Sequence, residues 1–202
     1  MTKSANKREE KELLRRFCSG DEAAFRDIVQ EYKDPLFNFL RRFVGNQDLI
    51  EDVFQDTFMQ LYQSRESFDL DRPLKPWLFT IAANKAKDLL RKRKRNSSIS
   101  VGSIADDSES SIEDVFSSVS SEDTTPLDHY ITEETEERVR EVVENMPEKL
   151  REILLLAYFE QFSYKQMAEM LSIPIGTVKS RLHSAVARFA KDWKNVEPDF
   201  ER

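Results

Sequence analysis

The sequence predicts an all-α protein made of two small helical domains joined by a flexible acidic linker, and three observations support this. Glycine occurs 4 times in 202 residues, and strand-like alternation of apolar and polar residues is nearly absent. Apolar residues instead recur at the three- and four-residue spacing of amphipathic helices. Residues 96–137 contain 12 acidic side chains and no Lys or Arg, directly after five consecutive basic residues. We therefore divide the chain into a first domain (1–95), a linker (96–131) and a second domain (132–202).

The overall net charge of −7 comes from the linker rather than from the domains. Residues 1–95 carry a net charge of +4, residues 96–137 carry −12 and residues 138–202 carry +1. The linker is also rich in Ser and sparse in apolar residues, so it can bury too little apolar area to offset its chain entropy. Both domains are mildly basic, a balance that is compatible with nucleic acid as a partner.

The first domain is predicted to contain four helices. After a short first helix, Asp21 is the expected N-cap of the second. Pro35 is expected to kink or restart that second helix, and Gly45 is expected to end it with a left-handed C-cap. Helical spacing predicts the third helix over about 47–63 and the fourth over about 74–94.

The fourth helix has two faces of different chemistry. One face is apolar, and the opposite face carries cations and an amide, namely Asn84, Lys87, Arg91, Lys94 and Arg95. Residues 85–95 contain seven Lys or Arg against one acid, an excess that favours nucleic-acid phosphates over a merely soluble helix end. The neighbouring aromatics Phe68, Trp77 and Phe79 are candidates for stacking on single-stranded bases, although core packing is the favoured interpretation of Trp77.

A row of carboxylates marks the third helix. Asp48, Asp52 and Asp56 are spaced one turn apart with Glu51 beside them, whereas the periodicity puts Phe58 on the inner, apolar side. The row is interpreted as a docking edge for a basic partner, a solvated face or a Mg²⁺ site, and spacing alone does not choose among these. The two histidines lie far apart in the sequence, so no cofactor or histidine metal cluster is expected.

The second domain is predicted to begin with a helix from Thr132 or Glu133, whose acidic first turn suits the helix dipole. Pro147 is expected to close this helix and to occupy the first position of the next one. That next helix carries an apolar stripe that runs from Leu150 to Tyr158.

The stretch from Ser163 to Ala190 has the spacing of a helix-turn-helix. Ser163 is expected to cap a short helix, Ser172 stands at the turn position that usually favours glycine, and the second helix begins near Pro174 or Ile175. The exposed side of that second helix would present hydroxyls and cations to a major groove. A helical hairpin that binds another protein is the alternative interpretation.

In this order, the motifs resemble the extracytoplasmic-function (group IV) sigma factors of bacterial RNA polymerase, in the sigma-70 family. In the first domain, GDEAAFRDIVQEY, DLIEDVFQDTFMQLY and FDLDRPLKPWLFTIAANKAKDLLRKRKR resemble conserved region 2. In the second, MPEKLREILLLAYFEQFSYKQMAEMLSIPIGTVKSRLHSA resembles region 4. The resemblance implies a sigma factor that binds core polymerase, recognises −35 and −10 promoter elements and helps to melt DNA.

The resemblance also implies roles for individual residues. Docking on the clamp helices of the β′ subunit would use Asp48, Glu51, Asp52, Gln55, Asp56 and Phe58. Recognition and opening of the −10 element would use Asp69, Arg72, Lys75, Trp77, Asn84, Lys87, Asp88, Arg91, Lys94 and Arg95. Recognition of the −35 element would use Tyr164, Thr177, Lys179, Ser180, Arg181, His183, Ser184 and Arg188.

The expected partners are core RNA polymerase, contacted at the β′ clamp helices and the β flap, promoter DNA and an anti-sigma factor. Catalysis would belong to the polymerase, so the chain is not expected to be an enzyme. No apolar run approaches the ~18 residues of a membrane span and the N-terminus is charged, which indicates a cytoplasmic protein without membrane insertion.

Two other functions compete with this interpretation. An autonomous helix-turn-helix regulator would bind duplex DNA without polymerase, but it would leave the first domain unexplained. A helical Mg²⁺-dependent phosphohydrolase would use the carboxylates of the third helix, but it lacks a second carboxylate helix of matching spacing. The sequence does not determine how the two domains lie relative to each other in the absence of polymerase.

Overall fold

The computed structural model describes residues 3–98, which we call the first lobe, and residues 133–196, which we call the second lobe. Nearly all of the predicted linker lies outside the described residues. The first lobe contains α1 (Lys3–Cys18), α2 (Glu22–Val44), α3 (Gln47–Gln63), a 3₁₀ turn (Arg65–Ser67) and α4 (Leu74–Ser98). The second contains α5 (Glu133–Glu144), α6 (Glu148–Leu154), a π-helical turn (Leu155–Phe159), α7 (Tyr164–Leu171) and α8 (Ile175–Val196). Every regular element in these two ranges is helical, which confirms the predicted fold class.

Local signals place the helix ends where the sequence predicts them. The Asp21 carboxylate accepts hydrogen bonds from the backbone of Ala23 and Ala24 and so caps α2. Gly45 ends the same helix with a φ of 74°, a left-handed conformation in which a side chain would be strained. The third helix has the predicted bounds, and the predicted start of α5 at Glu133 is confirmed.

Neither proline begins a helix, although the sequence predicts a kink or a restart at Pro35 and a first helical position at Pro147. The second helix continues through Pro35 without restarting, because Leu36, Phe39 and Leu40 directly after it are fully buried and their packing offsets the lost hydrogen bond. Pro147 is the N-cap of α6 rather than its first residue, since its carbonyl accepts the first hydrogen bonds of that helix. The predicted first-position role of Pro147 is therefore wrong by one residue.

Each lobe has its own apolar centre. In the first lobe, α2 packs against α1, α3 and α4, around fully buried aromatic rings that include Phe17, Phe39 and Phe79. In the second, α8 packs against α5, α6 and α7 and buries Val178 and Ala185 completely. Both lobes therefore hold their surface helices on packed cores.

The two lobes are also in direct contact with each other. Helix α5 packs on α2, α7 packs on α4, and the π-helical turn packs on α2. The Phe162 ring, 6% exposed, meets the buried Phe79 ring of the first lobe edge-on at a centroid distance of 5.6 Å. The closed arrangement brings the cationic helix α4 next to the second lobe.

Candidate nucleic-acid interface

Helix α4 has the two faces that its sequence predicts. Leu78, Ala82 and Ala86 are fully buried against the first lobe, whereas Asn84 and Arg95 are exposed. Arg91 of the polar face is also exposed, and it forms an ion pair at 3.8 Å with the exposed Asp88, another predicted −10 residue. The side chain of Lys94 lies outside the described part of the chain.

The loop before α4 is fixed by short-range bonds. Asp69 accepts hydrogen bonds from the backbone of Asp71 and Arg72, at 3.0 and 2.9 Å, and its carboxylate lies 3.6 Å from the Arg72 guanidinium. Lys11 of α1 bonds to Asp71 at 2.9 Å and anchors the loop to the first helix. Asp69 and Arg72 themselves stay exposed, so two of the predicted −10 residues are presented on an ordered turn.

Trp77 is partly buried, as the packing interpretation expected. Its ring stacks in a tilted geometry on Phe68 with a centroid distance of 4.5 Å. Both rings pack against the core of the first lobe while retaining intermediate exposure. The pair lies at the start of α4, next to the loop that carries Asp69 and Arg72.

Two cations predicted to bind −10 DNA are engaged by acids of the second lobe. The Lys87 ammonium lies 2.9 Å from a carboxylate oxygen of Glu152, and the two side chains are only 18% and 7% exposed. The Lys75 ammonium lies 3.1 Å from the Glu160 carboxylate and donates a hydrogen bond to the Glu160 backbone carbonyl at 3.0 Å. At the rim of the contact, the Arg91 guanidinium lies 4.0 Å from the carboxylate of a third acid, Glu148 of α6.

Burial is the largest influence on the pKa of both acids. It raises the pKa of Glu152 above its ordinary value, against the opposing attraction of Lys87 and, more weakly, Arg181. It also raises the pKa of Glu160, against the opposing effects of Lys75 and Arg42. Both carboxyls are therefore held in an apolar setting that the cations compensate in part.

The sequence prediction missed these acids. A weak signal was present, because Glu152 and Glu160 occur within the mostly apolar stretch from Leu150 to Phe162, in which Arg151 and Gln161 are the other polar residues. An acid inside such a stretch needs a cationic partner when the stretch packs.

The predicted polymerase-binding residues of α3 are mostly on the surface. Glu51, Asp52 and Gln55 are exposed, and Asp56 is exposed with its carboxylate 3.8 Å from Lys85 of α4. The side chain of Asp48 lies outside the described part of the chain. Among the side chains that the structure describes, no three acidic, His or Cys groups are placed to hold a metal ion.

Phe58 is an exception within that set. It is 6% exposed and contacts the Phe54 ring edge-on at 5.0 Å. The burial of Phe58 agrees with the apolar periodicity of α3, and its docking role stays a prediction.

The helix-turn-helix has the predicted construction. Ser163 and Gln166 form a capping box at the start of α7, and Ser172 adopts the left-handed conformation with a φ of 54°. Tyr164 is 46% exposed at the start of α7. The residues of α8 predicted to read −35 DNA are exposed or half-buried, namely Thr177, Lys179, Ser180, Arg181, His183, Ser184 and Arg188.

An apolar groove on the second lobe was also not predicted. It has a volume of about 300 Å³ and lies where α5, the π-helical turn and α8 meet. Its exposed members include Tyr158 and Val186, at 60% and 40%. Exposed apolar surface of this kind is typical of a site that binds another protein. Within the described ranges, none of the helices is long and apolar enough to cross a lipid bilayer.

Comparison with known proteins relates both lobes to one family. The family model of Sigma-70 region 2 matches residues 28–96, and that of Sigma-70 region 4 matches residues 136–189. The chain is 31% identical over 186 residues to the ECF RNA polymerase sigma factor SigW of Bacillus subtilis (strain 168), covering 92% of this chain and 97% of that protein. It is 35% identical over 176 residues to the ECF RNA polymerase sigma-E factor of Haemophilus influenzae, covering 86% and 89%.

A solved structure shares the fold. The sigma factor RpoE of Bartonella quintana, in a co-crystal structure with the anti-sigma factor NepR, superimposes with a TM-score of 0.63 and 26% sequence identity. The similarity covers 88% of this chain and 99% of that one.

Proposed function

This chain belongs to the extracytoplasmic-function sigma factors of the sigma-70 family, and from that premise we propose that it binds core RNA polymerase and directs promoter-specific initiation. The observation that carries the proposal is a pair of helices with exposed cations, α4 and α8, on separate lobes that match region 2 and region 4 in order. The domains would then be a −10 and docking domain (1–95), a linker (96–131) and a −35 domain (132–202).

The first lobe is proposed to recognise and open the −10 element. Helix α4 offers cations for phosphates, the turn at Asp69 and Arg72 precedes it, and the Trp77–Phe68 pair provides an aromatic surface for an unstacked base. Extruding a base from the duplex costs a few kcal/mol, which base capture and polymerase contacts must offset. We therefore expect the isolated chain to bind DNA weakly.

The second lobe is proposed to read the −35 element through α8. Exposed Lys179 and Arg188 would hold phosphates and position the helix, while Thr177, Ser180 and Arg181 would contact base edges in the major groove. Each good base contact contributes about 1–3 kcal/mol of discrimination.

Protein partners are assigned to two further surfaces. The exposed acids of α3, Glu51 and Asp52 among them, would dock on the β′ clamp helices, which accounts for a row of like charges that repel one another. The apolar groove beside Tyr158 and Val186 would receive the β flap. An anti-sigma factor is proposed as a further partner, as NepR is for the related RpoE.

The proposed role is one of binding rather than covalent chemistry. Nucleotide addition would belong to the core polymerase, and this chain would supply promoter choice and strand opening. We accordingly propose a non-enzymatic protein that acts in the cytoplasm, where promoter DNA and polymerase meet.

Reconstitution with core polymerase and a genomic DNA library, followed by sequencing of transcript starts, tests the proposal. Asp52→Ala should weaken core binding, because it removes an exposed carboxylate from the docking edge, and Asp27→Ala, an exposed acid of α2, is the matched control. Arg181→Ala should reduce use of the −35 element while leaving core binding intact. Initiation without selectivity, or unchanged binding and promoter use in both variants, would contradict the proposal. Duplex binding that is indifferent to polymerase would favour the autonomous regulator.

A further inference from the structure

Helix α1 contacts the loop between the 3₁₀ turn and α4, which is proposed to read the −10 element, at three places. It packs on the 3₁₀ turn (Arg65–Ser67), where the loop begins. In the middle of the loop, the Asp71 carboxylate lies 2.9 Å from the Lys11 ammonium. At the end of the loop, the backbone N–H of Leu74 donates a hydrogen bond to the Glu10 carboxylate at 3.3 Å. One helix therefore holds the loop at its start, its middle and its end.

Helix α1 is a firm base for these contacts because it is itself packed on the first lobe. Leu14 and Phe17 are each 1% exposed, and α1 packs along α2. Leu74, at the other end of the Glu10 hydrogen bond, is completely buried, so this bond joins two packed parts of the lobe. Side chains held by packing and by further hydrogen bonds can keep a recognition loop within the narrow tolerance that binding requires.

The contact at Asp71 reaches the exposed residues of the loop through the backbone. The Asp71 N–H donates a hydrogen bond to the Asp69 carboxylate at 3.0 Å, and the Arg72 guanidinium lies 3.6 Å from the same carboxylate. A displacement of Asp71 would therefore carry with it both Asp69 and Arg72, which are proposed −10 residues. Lys11 is thereby linked to the −10 residues through Asp71.

We propose that Glu10 and Lys11 are positioning residues for −10 recognition, which set the orientation of the Asp69–Arg72 turn against α4 and thereby its base preference. The inference rests on the proposed −10 role of this loop. Both residues precede residue 28, where the similarity to the Sigma-70 region 2 model begins. Base preference at the −10 element would thus depend on a helix that lies outside the matched residues.

The proposed role is one of orientation rather than of stability. The side chains of Lys11 and Asp71 are 38% and 88% exposed, and an ion pair between such exposed groups stabilises a fold little. Recognition is more sensitive, because a hydrogen bond to a base is lost when its donor or acceptor leaves a narrow range of distance and angle. Substitutions at Lys11 should therefore change base preference while the melting temperature stays near that of wild type.

Charge reversal and charge exchange test the part played by Lys11. Lys11→Glu places a second carboxylate beside Asp71, and the double variant Lys11→Glu with Asp71→Lys restores a pair of opposite charges in reverse order. The control is Arg15→Glu, which makes the same change of charge at an exposed position one turn further along α1. Each chain, bound to core polymerase, initiates on two libraries built on a promoter that the wild-type holoenzyme uses. One library is randomised in the −10 element and the other in the −35 element.

Lys11→Glu should lower the preference for the best base at one or more −10 positions at least about fivefold relative to the control, since one good base contact contributes that factor or more. Discrimination in the −35 library and affinity for core polymerase should be unchanged. The charge exchange should return most of the −10 preference. Equal −10 preference in Lys11→Glu and Arg15→Glu, or a charge exchange that performs no better than Lys11→Glu, would overturn the inference.

Two neutral substitutions at Glu10 isolate its hydrogen bond. Glu10→Ala removes the acceptor for the Leu74 N–H, whereas Glu10→Gln keeps an oxygen there. Both remove the charge that, together with the larger effect of burial, raises the pKa of Glu31. Hydrogen exchange of the free, full-length chain, read by mass spectrometry, should be faster in segment 68–74 of Glu10→Ala than of Glu10→Gln. Glu9→Ala, at the exposed neighbouring position, should behave like wild type. Equal exchange in the two Glu10 variants would contradict the positioning role of Glu10.

The outcomes separate this inference from the proposed function. Selective initiation by the wild-type holoenzyme, with no difference between test and control variants in either experiment, would reject the positioning role and keep the sigma function. Faster exchange of the loop in Glu10→Ala, without selective initiation by the wild-type holoenzyme, would leave the loop anchored by α1. That result would reject both the sigma function and the role of the anchor in base preference.

Discussion

The two helices that are proposed to bind promoter DNA have similar chemistry but different surroundings. Helix α8 presents Lys179 to solvent, and its Arg188, which pairs with Asp192 one turn further along the same helix, is also exposed. Helix α4 carries more cations, yet two of them, Lys75 and Lys87, are engaged by acids of the second lobe. The difference indicates that the composition of a helix defines what it can bind, whereas tertiary contacts decide when it can bind.

The largest effect is expected from Phe162, whose side chain joins the two lobes. Phe162→Ala removes a ring that is 6% exposed and contacts Phe79, and such a truncation costs about 3–5 kcal/mol in a packed core. The lobes should separate, with a larger radius of gyration in small-angle scattering and a lower melting temperature. Phe162→Leu, which keeps an apolar side chain, is the control. An unchanged radius in the alanine variant would mean that the contact is held elsewhere.

An intermediate effect on DNA binding is expected when the exposed Lys179 of α8 and the ion-paired Lys87 of α4 are each replaced by alanine. In the isolated chain, Lys179→Ala should lower the salt dependence of duplex DNA binding by about 0.9, the contribution of one phosphate contact. Lys87→Ala should not lower it, since Lys87 is already engaged by Glu152. Fluorescence anisotropy at several salt concentrations measures both variants. A matching decrease for Lys87→Ala would show that α4 is open to DNA in the free chain.

The smallest effect is expected from a substitution that neutralises the buried Glu152 without reversing its charge. Burial raises the pKa of Glu152 above its ordinary value of 4.5, so the closed form takes up a proton more readily than the open form. The stabilisation of the closed form by protonated Glu152 is therefore fully present below about pH 4.5. It is lost as the pH rises through the raised pKa of Glu152. The charged groups facing it are Lys87, Glu148 and Arg181.

Glu152→Gln is permanently neutral and keeps an oxygen acceptor toward Lys87. It should leave the lobes closed at neutral pH and flatten the pH dependence of closure, whereas Glu152→Lys, whose ammonium would face Lys87, should open the contact between the lobes. Scattering profiles recorded from pH 4 to pH 8 compare the two variants. Opening of the glutamine variant at neutral pH would show that the ionised carboxylate itself holds the lobes together.

The sequence predicted those features that depend only on interactions between residues close together in the chain. The Asp21 and Ser163 caps, the left-handed Gly45 and the left-handed Ser172 each depend on a few neighbouring residues. The apolar periodicity of α3 predicted that Phe58 is buried, as is observed. The family resemblance had placed the same residue among the docking residues. Periodicity is the better guide to where a side chain points because it follows from helix geometry alone.

The features that the sequence did not predict depend on distant contacts. Lys75 and Glu160 are 85 positions apart in the chain, and no spacing rule relates them. The continuation of α2 through Pro35 depends on how well the residues after it pack, which is a property of the folded core. The apolar groove likewise forms where three separate elements meet.

The central claim is that Lys75 and Lys87 of α4 are engaged by the second lobe in the free chain, whereas Lys179 of α8 is open to solvent. The chemical reactivity of these three lysines tests it most directly. The full-length chain would be treated briefly with an amine-reactive ester, alone and bound to core polymerase, and modification would be located by mass spectrometry. We expect Lys179 to react rapidly in both states, and Lys75 and Lys87 to react slowly in the free chain and faster in the complex. Equal, rapid modification of all three lysines in the free chain would contradict the account.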